Sequence, residues 1–407
     1  MMDRDGTRGI LLALLRSERV RVELEAWPAV VSLARQHGLA ALLFARARSE
    51  GIYIPTESMS ALRTVYLQNT GQNMLLYHQL ASLLRAYADA GIDVIALKGA
   101  YLAEQVYGDI AVRQMGDVDL LIRMADIPTA RTLLINQGFV GATPLKEVVD
   151  EAHHLVFRHT QTGLLVEVHW GLVSAARGLQ IDLNGVWQRA CPAQVANCLV
   201  YALSPEDQIL HLCVHASAHG FEFGLRGLCD IAAALRYYQI RVDWEVLRQR
   251  AEQWKAERCE YICLRLAEEL LAAPVAKNWL DAFRPDDRDE HYLALAREHM
   301  FESVEETASA LPRDFNIAML KMETRLSSKF AILWHRLFPK RSEMAMMYPA
   351  SPRSPRMLWY YLVRIRDLFR RHGRVVWHLL RGDPQMAARA ARQNEINALK
   401  QWLLSGK

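Results

Sequence analysis

Two aspartates separated by a single residue, Asp117 and Asp119, stand in the run GDVDLLI at residues 116–122. The short apolar run predicts a β-strand. On an extended backbone both carboxylates leave one face of the strand, whereas Val118 points to the opposite face and into the core. Adjacent negative charges repel each other, and a hard divalent cation such as Mg²⁺ between them removes that repulsion. The spacing is therefore typical of a metal site, although acids also occur at strand ends simply because the ends are solvated.

A third acid, Glu167, lies downstream in a predicted β-hairpin. The runs HHLVFRH at 153–159 and LLVEVHW at 164–170 read as two strands, and QTG at 161–163 predicts the turn between them. An acid flanked by Val166 and Val168 is costly to bury unless it is paired or bound to a metal. Three carboxylates on neighbouring strands can hold one or two metal ions for phosphoryl chemistry. We therefore predict that the catalytic and metal-binding residues are Asp117, Asp119 and Glu167.

Several short motifs occur in a fixed order around these acids. They are LKGA at 97–100, Arg113, GDVDLLI at 116–122, NQGF at 136–139 and VEVHW at 166–170. This order resembles the uncharacterised nucleotidyltransferase family of the polymerase-β-like nucleotidyltransferase superfamily. The resemblance continues more weakly into SPED at 204–207 and the helix that follows it.

The resemblance implies an α+β fold, in which a small mixed β-sheet nucleotidyltransferase core is inserted between N-terminal and C-terminal helical regions. It also implies transfer of a nucleotidyl group from an NTP, with Mg²⁺ or Mn²⁺ held by the paired aspartates and the third acid. One feature differs from the superfamily. Its members usually carry Gly-Ser after the first strand to hold the triphosphate, and this chain has Gly99 and Ala100 there, which removes a hydroxyl group.

The apolar run at residues 92–97 predicts the strand that leads into this motif. Lys98 directly after it is placed to neutralise triphosphate charge, and Gly99 lets backbone N–H groups approach the phosphates. The alternatives are that Lys98 is a solvated strand-end lysine and Arg113 a solvated loop arginine. The predicted nucleotide-binding residues are Lys98, Gly99, Ala100 and Arg113.

Histidines are concentrated in two places, near the hairpin and on a downstream helix. His153, His154 and His169 belong to the hairpin strands, where they either line an acceptor pocket or face water. The helix after residue 204 carries three more at intervals of four, which places them on one helical face. Zinc is one alternative for that face, but no H-E-x-x-H motif is present. The residues predicted to form the acceptor pocket are His169, His211, His215, His219 and Asp230.

Composition and pattern divide the 407 residues into four segments. They are an N-terminal helical region (1–90), the nucleotidyltransferase α/β core (91–202), a C-terminal helical domain (203–345) and a basic aromatic helical tail (346–407). The N-terminal helices either wall the nucleotide cleft or form a plain packing domain. The six cysteines show no zinc spacing and are typical of reduced core thiols. We find no signal peptide and no transmembrane pattern, and therefore expect a cytoplasmic protein.

Helices are predicted from residue 204 onward, among them 244–250, 259–271, 289–300 and 315–338. The net charge of +4 does not by itself indicate a nucleic-acid partner. Ten arginines nevertheless fall between residues 353 and 392 against only Asp367 and Asp383, interleaved with aromatic residues. Such a segment is a peripheral membrane contact, a contact to a polyanion such as RNA, or a solvated helix face with its aromatic residues in the core.

Three classes of function remain open from the sequence. The first is a Mg²⁺-dependent enzyme that moves an NMP group from an NTP to a hydroxyl or other nucleophile of a small-molecule, peptide or sugar acceptor, as in polysaccharide or modified-peptide biosynthesis. The second is a toxin-like or regulatory nucleotidyltransferase that acts on RNA or protein. The third is a catalytically idle nucleotide-binding module. Neither the acceptor nor the NTP can be read from the residues.

Overall fold

A computed structural model of the chain describes residues 4–18, 20–141, 153–174, 178–276, 279–280, 289–301, 338–339, 341, 344, 354–380 and 384–405. Within them the strands are β1 (Ile95–Ala96), β2 (Asp117–Leu121), β3 (Phe139–Gly141), β4 (His154–His159), β5 (Leu165–His169), β6 (Cys191–Val195) and β7 (Cys198–Ala202).

Helices dominate the rest of the described chain. They are α1 (Arg4–Leu15), α2 (Trp27–Gln36), α3 (Ala40–Glu50), α4 (Thr56–Asp89), α5 (Lys98–Tyr101), α6 (Ile127–Asn136), α7 (Leu183–Arg189), α8 (Pro205–Ala218), α9 (Leu225–Tyr238), α10 (Trp244–Trp254), α11 (Glu257–Leu271), α12 (Asp289–Met300), α13 (Arg356–Leu380) and α14 (Pro384–Leu404). None of the helices in these ranges has both the length and the apolar character of a membrane span.

The strands form one seven-stranded mixed sheet with the order β3-β4-β5-β2-β1-β7-β6. At its centre β2 pairs in parallel with β5 and antiparallel with β1. β4 and β5 form the predicted hairpin around the turn at 161–163. The predicted mixed sheet with flanking helices is therefore confirmed. Strand pairing in the run 92–97 is limited to β1, and the hairpin of β6 and β7 has no counterpart among the individually predicted strands.

One face of the central strands belongs to the apolar core. The side chains that alternate with the acids on β2 and β5 are buried, among them Val118, Leu120, Val166 and Val168. The long helix α4 contacts α6 and β7, and α6 contacts β3. The strand alternation thus assigns one face to packing and leaves the opposite face, with the acids, available for chemistry.

The helix α8 begins as the sequence predicts. The Ser204 hydroxyl accepts a hydrogen bond from the backbone N–H of Asp207 at 3.3 Å, and Pro205 occupies the first turn. The carboxylate of Asp207 is buried and ion-paired with Arg189 and Arg250 at 3.0 and 3.1 Å. These contacts fix the end of α8 from which its histidine-bearing face extends.

By its internal contacts the chain divides into two units, residues 1–301 with 400–407, and residues 302–399. The first contains the whole sheet and helices α1 to α12. The second contains α13 and most of α14. The helices predicted at 244–250, 259–271 and 289–300 are observed, whereas the one predicted at 315–338 falls, except for its last residue, outside the described residues. The four-segment division and the insertion of the sheet between helical regions stay predictions.

Candidate active site

The predicted acids converge on one face of the sheet. Asp119 on β2 is the register partner of Glu167 on the neighbouring parallel strand β5. Because side chains alternate along a strand, the two carboxylates leave the same face, and Asp117 joins them there two residues earlier. Parallel pairing thus brings together two acids that are 48 positions apart in the chain.

Asp119 is the most strongly held of these acids. Its Oδ1 lies 2.6 Å from Lys98 Nζ and 3.0 Å from His169 Nε2. Burial by itself favours the neutral carboxyl, but the Lys98 ammonium and the hydrogen bond with His169 outweigh it and hold the pKa of Asp119 well below its usual range. Asp119 is therefore a carboxylate despite being buried.

His169 joins the two register partners. Its Nε2 lies 3.0 Å from Asp119 Oδ1 and 3.3 Å from Glu167 Oε2, and His154 Nε2 lies 3.8 Å from Glu167 Oε2. Burial lowers the pKa of His169, but its hydrogen bonds with both acids outweigh that effect and raise the pKa above its usual value. The imidazole is thus a counter-charge for a pair of acids that would otherwise repel each other.

Asp117 experiences the opposite balance. Burial and the neighbouring charge of Asp119 raise the pKa of Asp117, and the more distant Lys98 does not compensate. Asp117 lines the cavity described below, beside Gly116. A cation in the cavity would be the natural partner for its charge.

Lys98 stands at a strained turn between β1 and α5. Its φ is +40°, a left-handed conformation that is unusual for a residue with a side chain. The preceding residue is tied to β2, because the backbone N–H of Leu97 donates to the carbonyl of Asp119 at 3.0 Å. Strain of this kind persists only where the surroundings impose it, and it occurs often at functional sites. The turn delivers the ammonium directly to Asp119.

Arg113 is held by Asp230 instead of facing open solvent. Its guanidinium donates to both carboxylate oxygens at distances between 2.8 and 3.2 Å, and Tyr107 donates its hydroxyl to Asp230 Oδ1 at 3.0 Å. Burial would lower the pKa of Arg113, but the charge of Asp230 raises it. Gly99 makes room for this pair, because a Cβ there would lie 2.7 Å from Arg113 Nη1.

The loop that carries Arg113 is supported by α4. Asn73 donates to the carbonyls of Ile110 and Arg113 at 2.5 and 2.9 Å, and Asn69 donates to the carbonyl of Ala111 at 3.3 Å. Both asparagines are buried. Sequence reasoning missed them, because two polar residues within a long helix give no signal of the distant loop that they hold.

A cavity of about 350 Å³ lies between the acidic face of the sheet and helices α8 and α9. Most of the predicted site residues line it, together with Phe223 and Arg226: Lys98, Gly99, Arg113, Asp117, Asp119, His153, His154, Glu167, His169, His215, His219 and Asp230. Two predicted residues do not. Ala100 is fully buried, with its carbonyl bound by the Tyr77 hydroxyl, and His211 is buried within α8.

One side of the cavity is an aromatic wall formed by His215, His219 and Phe223. The rings of His215 and Phe223 are nearly parallel, with centroids 5.7 Å apart, and His219 lies 4.7 Å from Phe223. Burial and the positive charge of Lys98 keep the pKa of His215 well below its usual value. His215 is therefore a neutral ring at physiological pH.

Arg226 adds a cation that the sequence did not reveal. Its guanidinium carbon lies 5.7 Å from the Phe223 ring centroid, over the ring. Burial and the nearby charge of Arg113 lower the pKa of Arg226, so the group is held where a second positive charge is unfavourable. Within the described part of the chain no carboxylate forms an ion pair with it, whereas Lys98 and Arg113 each have one. Only the folding of α9 onto the sheet brings Arg226 to the cavity.

The donor set fits a divalent cation. One ligand atom each from Asp119, Glu167 and His169 lies within 4.8 Å of the others, and Asp117 presents a further carboxylate to the same cavity. Oxygen ligands suit Mg²⁺ and Mn²⁺, and an imidazole beside them suits Mn²⁺ better than Mg²⁺. A second group, His153, His154 and His169, shares one of these donors.

A family model described as an uncharacterised nucleotidyltransferase matches residues 23–272, more than half of the chain. The protein belongs to this family. This nucleotidyltransferase thus confirms the resemblance seen in its motifs, and its reaction is the transfer of nucleotidyl groups, for which an NTP is the expected substrate. The matched range covers the sheet and every residue that lines the cavity. Neither the curated proteins nor the solved structures contain a match to the chain.

Proposed function

We propose that this nucleotidyltransferase moves an NMP group from an NTP to a hydroxyl or similar nucleophile, with a divalent cation held by Asp117, Asp119 and Glu167. The observation that carries the proposal is the register pairing of Asp119 with Glu167 at the floor of the cavity. When bound, Mg²⁺ or Mn²⁺ would neutralise phosphate charge and lower the pKa of the acceptor hydroxyl. His169 is a further candidate ligand through Nε2.

The cations around the cavity have different roles in this proposal. Arg113 is occupied by Asp230, so its part is to shape the cavity beside Gly99. Lys98 is a flexible ammonium on a strained turn, within reach of both Asp119 and a phosphate bound above Gly99. Arg226 has no carboxylate partner in the described chain, and its planar guanidinium suits bidentate binding of phosphate oxygens. We assign the triphosphate to Lys98 and Arg226.

The acceptor belongs at the aromatic wall. His215 is neutral and stacked on Phe223, so this side of the cavity offers ring faces and carries little charge. An uncharged sugar, peptide or nucleoside group suits such a surface better than a second polyphosphate, which would have to be desolvated without a cation. The predicted acceptor residues His169, His215 and His219 border this space, whereas Asp230 and His211 support it from behind.

The position of the acids also defines what the protein contributes to rate. The carboxylates, Lys98 and Arg226 hold a highly charged substrate in a largely enclosed space, where fixed charges act more strongly than in water. Positioning of the α-phosphorus and the nucleophile supplies the remainder. Polysaccharide and modified-peptide biosynthesis are the settings that we propose for the acceptor.

The proposal is tested with NTPs labelled with ³²P at the α-phosphate. The full chain is incubated with each NTP and Mg²⁺ or Mn²⁺, with and without extract from the native host, beside Asp119→Asn and Glu167→Gln. Asp93→Asn is the matched control, because Asp93 is an exposed acid just before β1. We expect label on an acceptor with the wild type and the control only. Label that persists in both site variants would refute the assignment of the acids.

A further inference from the structure

The helix α13 has a composition unlike that of the rest of the chain. Its 25 residues include six arginines against one acid, Asp367, interleaved with leucine, isoleucine, tyrosine and tryptophan. It lies outside the region matched by the nucleotidyltransferase family and contributes no residue to the cavity. Its surface therefore has no role in the proposed reaction.

Large apolar side chains on α13 are exposed. Leu358, Trp359 and Leu362 have 62%, 64% and 60% of their surface accessible, whereas Met357 is fully buried. Leu358 and Leu362 are one helical turn apart and Ile365 follows after three more residues, so the three lie on one face. One side of the helix thus packs against its own unit, and another presents an apolar stripe. A stripe of adjacent large side chains usually marks an interaction surface.

Arginines continue the stripe. Arg366 follows Leu362 by four residues, and Arg370 follows Arg366 by four, so each lies one helical turn beyond the last. Both arginines are exposed. Arg356 adds a further exposed cation at the start of the helix. The surface is therefore apolar and cationic over a length of about four turns.

We propose that α13 binds the surface of an anionic lipid bilayer and lies in the plane of its headgroups. Leu358, Trp359 and Leu362 would enter the boundary between headgroups and acyl chains, and Arg366 and Arg370 would contact lipid phosphates. A basic amphipathic helix with exposed tryptophan and leucine is typical of this mode of binding. RNA would use the arginines, but its phosphate backbone offers no partner for exposed leucines, so the apolar stripe favours the bilayer.

The proposal is tested by co-sedimentation of the full chain with vesicles of phosphatidylcholine, with and without phosphatidylserine. The central variant is Leu358→Glu/Leu362→Glu, which changes two exposed residues and therefore removes no buried contact. Leu199→Glu is the matched control, because Leu199 is 86% exposed on β7 in the other unit. Arg370→Gln tests the charge separately. Circular dichroism of every variant verifies that it is folded.

We expect the wild type and Leu199→Glu to sediment with vesicles that contain phosphatidylserine, and to be released as salt is raised. The double variant should bind at least tenfold more weakly, and Arg370→Gln should bind severalfold more weakly. Absence of vesicle binding by the wild type would overturn the proposal. So would binding to tRNA that the double variant leaves unchanged while no vesicle is bound, or self-association of the wild type that the double variant abolishes without any lipid effect.

Discussion

Asp119 and Glu167 face each other across two parallel strands, and His169 Nε2 bridges them at 3.0 and 3.3 Å. The protein thereby holds two acids close together with an imidazole and the Lys98 ammonium as their counter-charges. A cation-binding site needs such a cluster to be tolerated in the folded chain before the ion arrives, because like charges otherwise oppose folding. The relationship therefore explains how the acids are kept ionised and in place.

Arg226 should determine nucleotide affinity. In Arg226→Gln we expect the KM for the NTP to rise by about 10- to 100-fold, because a charge-assisted hydrogen bond contributes about 1.5–3 kcal/mol. The change in kcat should be smaller, since Arg226 is assigned to the triphosphate and not to the acceptor. Steady-state kinetics with the labelled NTP measure both constants.

Arg21→Gln is the matched control for that variant, because Arg21 is an exposed arginine far along the chain from the cavity. It should leave KM unchanged. If Arg226→Gln also left KM unchanged while its kcat fell, Arg226 would act on another step, and its assignment to the triphosphate would be wrong.

The ion pair of Arg113 and Asp230 should contribute mainly to stability. Both side chains are largely buried, so Asp230→Asn leaves an uncompensated guanidinium and should lower the free energy of unfolding by about 3–5 kcal/mol. Arg113→Lys should also be destabilising, since an ammonium cannot replace the two-pronged contact. Denaturant unfolding measures both. A loss below about 1 kcal/mol in Asp230→Asn, the range of an exposed pair, would show that the pair is not structural.

Asn73 should act on the reaction through the loop that it holds. Asn73→Leu removes the donors to the carbonyls of Ile110 and Arg113 and leaves those carbonyls unpaired, which costs about 1–3 kcal/mol for each buried group. We expect lower stability together with a reduced kcat. Asn73→Ser, which can restore one donor, should recover part of both.

Asn136→Leu serves as the comparison for Asn73, because Asn136 is an exposed helical asparagine at the end of α6. It should change neither stability nor turnover by a measurable amount. Full activity in Asn73→Leu would contradict the role of α4 as the support of the active-site loop, and would favour a plain packing role for the N-terminal helices.

Glu260 predicts a particular dependence of stability on pH. Burial raises the pKa of this carboxyl well above its usual value, and within the described residues its oxygens have no hydrogen-bond partner. The folded protein therefore holds a proton that the unfolded chain releases at about pH 4.3. The contribution of this group to stability is complete below that pH and declines as pH rises toward the folded-state pKa.

Glu260→Gln removes this titration. Relative to the wild type, the variant should gain stability as pH increases, by about 1.4 kcal/mol per pH unit between the two pKa values. Urea unfolding at several pH values from 4 upward measures the difference, and Glu290→Gln, which changes a more exposed acid at the start of α12, provides the control. A difference that does not vary with pH would show that Glu260 is ionised in the folded protein.

Local pattern was sufficient to predict the acidic strand and the hairpin that carries Glu167. Alternation of apolar and polar residues is a property of neighbouring positions, so 116–122 and 164–170 could be assigned without knowledge of the fold. The motif order added the family. The shortness of β1 was not predictable, because the strained turn at Lys98 ends the pairing that the apolar run would otherwise continue.

The remaining parts of the site depend on contacts between distant segments. Asp230 was predicted as a pocket residue, but its pairing with Arg113, 117 positions earlier, required the structure. Arg226 and Asn73 carry no motif, since their roles arise only when α9 and α4 pack near the loop before β2. Helical spacing correctly placed His215 and His219 together at the cavity, whereas His211 on the same row is buried behind it.

The most direct test of the central claim is a titration of Mn²⁺ into the purified chain, with free Mn²⁺ followed by electron paramagnetic resonance. Wild type, Asp119→Asn, Glu167→Gln and the control Asp93→Asn are compared, each in the presence and absence of an NTP analogue that cannot be hydrolysed. We predict that the wild type and the control bind Mn²⁺, more tightly with the nucleotide, and that each site variant loses at least about tenfold in affinity. Equal Mn²⁺ binding by all four proteins would contradict a metal site at Asp119 and Glu167.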